Sequence, residues 1–148
     1  MGYVIKKSIL LVEDNPDDRL LTVRALKNHR LGNNIKTVED GREALDYLFG
    51  QGEYQDRDTR EQPEVVLLDL KLPKIDGLGV LKQMRENKHT QHVPVVILTS
   101  STEESDMVTG YDLGANSYIV KPVDFNKFIE AVGQLGLYWL VLNKTVNV

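Results

Sequence analysis

Short runs rich in β-branched residues and leucine alternate along the chain with longer amphipathic stretches. The runs predict strands at Ser8–Val12, Ile35–Glu39, Val65–Leu68, Val95–Leu98 and Ser117–Val120. The central ones are almost uniformly apolar, the pattern of parallel strands covered on both faces. The stretches between them predict helices with recognisable ends. Asn15-Pro16-Asp17-Asp18 offers an N-cap, a proline at the first helical position and acids in the first turn. Further helices are expected over Arg42–Phe49 (stopped by Gly50), Gly77–Asn87, Glu103–Leu113 (stopped by Gly114) and Asp124–Leu142.

Five strands alternating with five helices imply right-handed βαβ units and an α/β fold. The expected form is a flavodoxin-like, doubly wound (βα)5 with a five-stranded parallel sheet in the order 2-1-3-4-5. The 148 residues suit one domain spanning 1–148. Two segments exceed a minimal version of that plan. Residues 50–63 form a long, polar, charged stretch expected to be an exposed loop, and the chain continues past the usual end of the last helix as a 135–148 tail.

Composition narrows the chemistry. The absence of cysteine excludes a disulfide framework, thiolate metal sites and thiol catalysis. A net charge of −4 argues against a surface built to hold nucleic acid. The opening residues are too short an apolar run for a signal peptide, and Leu137–Leu142 is too short to span a bilayer, so a cytoplasmic protein without membrane contact is expected.

In an open α/β sheet, ligands bind beyond the carboxyl ends of the strands. Glu13 and Asp14 follow the first strand and Asp69 ends the third; Thr99 and Ser100 follow the fourth, and Lys121-Pro122 the fifth. Each has an ordinary reading alone: an acid or a Thr-Ser pair after a strand is commonly a helix cap, and a lone lysine is commonly solvated. Four strand ends delivering polar groups to one rim make a different case. Three converging carboxylates repel one another, and a hard divalent cation relieves that; oxygen-only donors point to Mg²⁺. Asp14 and Asp69 are the expected direct ligands, with a backbone carbonyl near Lys71 as a third and Glu13 binding directly or through water. A carboxylate can itself be a nucleophile, giving an aspartyl phosphate on Asp69. Lys121 would then supply charge, and the Thr99 hydroxyl a hydrogen bond, to the phosphoryl oxygens.

Four motifs carry a resemblance across nearly the whole chain. They are Leu11-Val12-Glu13-Asp14-Asn15, Leu67-Leu68-Asp69 through Ile75-Asp76-Gly77, Ile97-Leu98-Thr99-Ser100, and Tyr118-Ile119-Val120-Lys121-Pro122. Together they resemble the receiver domains of two-component response regulators. The resemblance implies phosphotransfer from a phosphohistidine on a sensor histidine kinase to Asp69. It implies a phosphoacceptor that promotes its own phosphotransfer and slow dephosphorylation, not a conventional enzyme. It also implies a switch in which Thr99 moves toward the phosphoryl group and Tyr118 turns inward, and a cis Lys121-Pro122 bond. Glu13 stands where many receivers carry a second aspartate. Lys71 and Ser101 stand at positions that tune phosphate lifetime, with side chains unlike those of fast-hydrolysing members. The Gly52-Glu53-Tyr54 loop, the Leu70–Lys74 run and the Asp124-Phe125 to Tyr138-Trp139-Leu140 tail are similar to the small response regulators of phytochromes, which implies a phytochrome as kinase. The same features also occur in receivers whose kinases are not photoreceptors.

Phe125, Ile129, Val132, Gly136 and Trp139 recur at helical spacing and should pack on the sheet. From Leu135 onward the apolar residues cover every side, which requires burial on more than one. Either the segment folds back over its own domain, or it forms a homodimer, the favoured reading. The expected interface joins the fourth helix (103–113), the fifth strand and the fifth helix, with Phe128, Leu135, Tyr138 and Leu142 as anchors. The 50–63 loop is read as solvated or, more sharply, as a kinase contact beside the rim; His29, His89 and His92 are read as surface residues.

Other classes fit less well. A flavin-binding protein would share the fold, but the loop opening Glu13-Asp14-Asn15 repels a phosphate unless a metal is present. A hydrolase with an aspartate nucleophile needs an acid–base partner, and none is placed beside Asp69. The intact Asp14, Asp69, Thr99 and Lys121 set speaks against a non-phosphorylated scaffold, and no DNA-binding segment follows, so signalling through protein contacts is expected.

Overall fold

A computed structural model describes residues 8–27, 34–100, 109 and 112–134. In chain order these form β1 (Ile9–Val12), α1 (Pro16–Lys27), β2 (Ile35–Val38), α2 (Gly41–Phe49), a single 3₁₀ turn (Gly52–Tyr54), β3 (Val65–Asp69), α3 (Gly77–Glu86), β4 (Val95–Thr99), β5 (Ser117–Val120) and the last described helix, α4 (Phe125–Gln134). The five strands make a parallel sheet in the order β2-β1-β3-β4-β5, as the alternation of elements predicts. Nearly all of the helix expected over 103–113, and the chain beyond Gln134, lie outside the described residues.

Successive strand residues point to opposite faces, so the sheet divides the core in two. Leu10, Val12, Val66, Leu68, Val95 and Ile97 pack against Ala44, Leu45 and Leu48 of α2 and Val80, Leu81 and Met84 of α3. Ile9, Leu11, Val65, Leu67, Val96, Leu98 and Ile119 pack on the other side against Leu26 of α1 and Phe128, Ala131 and Val132 of α4. Burial on both faces explains why the central strands read as unbroken apolar runs.

Local signals set the helix ends. Asp40 caps α2 by accepting from the Glu43 N–H at 2.7 Å, and Asp76 caps α3 by accepting from the Gly79 N–H at 2.8 Å. Gly50 closes α2 in the left-handed region at φ 67°, a conformation glycine adopts without steric cost.

Two expectations need correction. The buried face of α4 is Phe128, Ala131 and Val132, with Phe125 packed at its margin and Ile129 half-buried. The two stripes share Val132, and the helix sets Phe128 and Ala131 beside it against the sheet, leaving Phe125 at the margin. Phe128 is fully enclosed within its own chain, so it is no anchor for a second copy; Leu135, Tyr138 and Leu142 lie outside the described residues. The segment after α2 is also not simply solvated. Arg57 stacks over the Tyr47 ring at 4.1 Å and donates from Nε to the Tyr47 carbonyl at 2.6 Å. The Tyr54 hydroxyl donates to Glu43 at 2.7 Å, and Gln62 Nε2 to the Leu48 carbonyl at 2.9 Å. Its charged tips, such as the Asp58–Arg60 pair, remain exposed.

Candidate functional site

The carboxyl ends of β1, β3, β4 and β5 are locked side by side. The Leu70 N–H donates to the Leu98 carbonyl at 3.2 Å, and the Lys121 N–H to the Thr99 carbonyl at 2.8 Å. On the outer side, the Glu13 N–H donates to the Val38 carbonyl at 3.0 Å. The side chains that leave these ends therefore share one crevice. Glu13 is fully buried and Asp69 nearly so, while Asp14 is exposed at the mouth. One oxygen from each of the three lies within 4.8 Å of the others.

Lys121 sits among them. Its Nζ is 2.6 Å from Glu13 Oε1, 3.0 Å from Asp69 Oδ2 and 3.2 Å from Asp18 Oδ2. Burial, reinforced by the neighbouring Asp69, lifts the Glu13 carboxyl from 4.5 to about 7, with Lys121 pulling the other way. Burial alone would lower the Lys121 ammonium, but its contacts with Glu13 and Asp69 outweigh that and raise it, so the lysine stays charged. Glu13 Oε1, although close to Nζ, has no well-directed hydrogen bond, and its other oxygen accepts from the Asn15 N–H at 3.3 Å.

These residues fit a hard divalent cation. The donors are all oxygens, one ammonium stands against several carboxylates, and a buried carboxylate oxygen lacks a directed partner. Asp14, at the open side, leaves room for waters that such a cation would keep.

The other predicted residues fall around this centre. Thr99 is buried at the end of β4, and Tyr118 is half-buried against the core under α2 and α3. The Lys121–Pro122 peptide is cis. Lys71 is exposed, and its N–H lies 3.3 Å from Asp69 Oδ1. Ser101 and His29 lie outside the described residues, and His89 and His92 are exposed. Sequence reasoning missed two contributors from α1. Asp18 reaches Lys121, and Arg19 Nη1 donates to the Glu13 carbonyl at 2.9 Å while Nη2 pairs with Glu39 at 3.4 Å. Asp18 had a sufficient local explanation as a first-turn acid, and nothing in the spacing joins it to Lys121. Among the described residues no helix is long and apolar enough to cross a membrane.

Residues 9–133 match the response regulator receiver domain family. The chain is 39% identical over 137 residues, 93% of its length and 86% of the relative's, to the probable methanogenesis regulatory protein FilR2 of Methanothrix harundinacea. Among solved structures it is similar to the bacteriophytochrome response regulator RtBRR, at 49% identity and a TM-score of 0.84 over 97% of this chain and 86% of that one. It is also similar to the Mn²⁺-bound form of response regulator Rcp1, at 35% identity and a TM-score of 0.74 over 97% and 99% of the two chains. The order of the sheet, the acidic crevice at its carboxyl rim and these likenesses lead to one conclusion: the chain belongs to the receiver domain family of two-component response regulators.

Proposed function

We propose that Asp69 accepts a phosphoryl group from a phosphohistidine of a sensor histidine kinase, with Mg²⁺ held by Glu13, Asp14, Asp69 and the Lys71 carbonyl. The observation that carries this reading is the position of Asp69, between two further carboxylates and the ammonium of Lys121. An Asp69 carboxylate oxygen forms the new bond to phosphorus as the phosphorus–nitrogen bond of the donor breaks, and the leaving imidazole takes up a proton. A carboxylate nucleophile needs no general base for this step. Lys121 faces the transferred group with a charge secured by its own buried partners, and the Thr99 hydroxyl offers it a hydrogen bond. Bound Mg²⁺ supplies positive charge to a phosphoryl oxygen and relieves the repulsion among the carboxylates.

Phosphorylation of Asp69 changes the partners available to Lys121 and Thr99, and Tyr118, half in the core, is the side chain that follows. Output then passes through protein contacts in the cytoplasm, without nucleic acid or membrane. A homodimer through the 103–113 segment, β5 and the fifth helix, α4 with the chain that follows it, is the form of that output, with Leu135, Tyr138 and Leu142 as its apolar anchors. The likeness to RtBRR supports a phytochrome as the kinase; the likeness to FilR2 supports kinases of other inputs. Purified candidate kinases, a phytochrome among them, should label the protein with Mg²⁺ and not with a chelator. Labelling that persists in Asp69→Asn counts against the mechanism. Sedimentation of the phosphorylated and unphosphorylated protein tests the dimer, and a monomer in both states at high concentration removes it.

A further inference from the structure

Lys121 has a third carboxylate neighbour that the proposed reaction leaves unused. Its ammonium donates to Asp18 Oδ2 at 3.2 Å, besides Asp69 Oδ2 at 3.0 Å. Asp18 differs from the other partners in two respects. Its side chain is 39% exposed, against 8% for Asp69 and none for Glu13, which places it at the mouth of the crevice. It also stands apart from Glu13, Asp14 and Asp69, whose oxygens gather at the metal-binding position. A divalent cation therefore competes with Lys121 for Glu13 and Asp69, but not for Asp18.

The helix end that carries Asp18 is well anchored. Asn15 Oδ1 accepts from the N–H groups of Asp17 and Asp18 at 2.9 and 3.1 Å. Arg19 ties the same turn to the Glu13 carbonyl at 2.9 Å. A lysine ammonium is a point charge on a flexible four-carbon stem, so once a cation engages its two inner partners, its direction depends on what still holds it. We propose that Asp18 is a positioning residue that tethers Lys121 at the mouth of the crevice and keeps its ammonium aimed at the group arriving on Asp69. This rests on the reading of Asp69 as the phosphoacceptor.

A carboxylate beside the crevice also repels an anionic donor, and an isosteric change separates the two effects. Asparagine keeps an acceptor oxygen and removes the charge; alanine removes both. The experiment compares phosphorylation rates with phosphoramidate and saturating Mg²⁺, read by intact mass, for the wild type, Asp18→Asn and Asp18→Ala. The two Asp18 changes are repeated in a Lys121→Ala background. Asp18→Ala should slow the reaction about tenfold, as for one charge-assisted hydrogen bond at a partly exposed site. Asp18→Asn should retain most of the rate, and Asp18→Ala should add nothing once Lys121 is gone. Unchanged or faster phosphorylation in Asp18→Ala, equal slowing in Asp18→Asn, or an undiminished alanine effect without Lys121 overturns the proposal. A double-mutant cycle on unfolding of the same proteins reads the Asp18–Lys121 coupling without any phosphoryl transfer, and zero coupling also overturns it. Failure of the wild type to accept phosphate, or equal acceptance by Asp69→Asn, would instead sink the functional reading, with the coupling still decided by the unfolding cycle.

Discussion

Glu13→Gln should stabilise the metal-free protein at neutral pH and weaken its response to metal. In the folded chain the Glu13 carboxyl titrates near 7 instead of 4.5, because it is buried beside Asp69. The folded state therefore holds a proton there that the unfolded chain has released, and stability falls as pH rises from about 4.5 to about 7. At about 1.4 kcal/mol per pH unit the loss is on the order of 3 kcal/mol, complete above pH 7. The side chain is fully enclosed, so solvent screening offers little relief. Glutamine resembles the protonated glutamate in shape and charge. The variant should match the wild type near pH 5 and exceed it by on the order of 3 kcal/mol near pH 8. Urea unfolding across that range in a chelator reads the difference directly. With Mg²⁺ the ranking should narrow or reverse, since a bound cation would offset the cost of charging the buried Glu13 and the variant offers one carboxylate fewer. Parallel stability–pH curves for the two metal-free proteins would refute the reasoning.

Competition with the Glu13 proton also predicts that Mg²⁺ affinity rises with pH up to about 7 and then levels; a titration followed by calorimetry that is flat below pH 7 would contradict this. Lys121→Met leaves Glu13 and Asp69 without their shared cation, and should cost the metal-free protein about 3 kcal/mol near pH 8, by denaturant unfolding, because broken buried pairs leave uncompensated charge. Phe128→Ala should cost about 3–5 kcal/mol by removing a fully buried ring, and a loss under about 1 kcal/mol would place that ring elsewhere. A Cβ at Gly77 would overlap the Asp69 carbonyl oxygen, which is backbone and cannot move aside. Gly77→Ala should therefore cost about 1–3 kcal/mol and slow phosphorylation of Asp69, measured on the fraction that remains folded.

The sheet was legible because its strands are buried on both faces, leaving runs such as Val65–Leu68 and Val95–Leu98 with no polar interruption. The crevice was legible for a topological reason. Parallel strands end on one rim, so Glu13, Asp14, Asp69, Thr99 and Lys121 could be placed together before any contact was known. Features resting on tertiary contact were not legible. The Phe125–Ile129–Val132 and Phe128–Ala131–Val132 stripes are both helical in spacing, and only packing against the sheet selects the second. Arg57 looks like a solvated charge until Tyr47 is placed beneath it. Arg85 carries no signal in the sequence, yet its guanidinium donates to the carbonyls of Val93 and Gly114 at 2.8 Å each and knits the chain around β4. Asp18 belongs with these, since its partner lies 103 positions away.

The central claim is that Asp69 carries the phosphoryl group, and chemical trapping tests it most directly. The protein is phosphorylated with phosphoramidate and Mg²⁺, reduced with borohydride and mapped by peptide sequencing in the mass spectrometer. An acyl phosphate is reduced to the alcohol, so the account predicts homoserine at position 69 and unmodified aspartate at positions 14 and 18. Homoserine at another position, or an unaltered Asp69 in protein that has gained the phosphoryl mass, would contradict it.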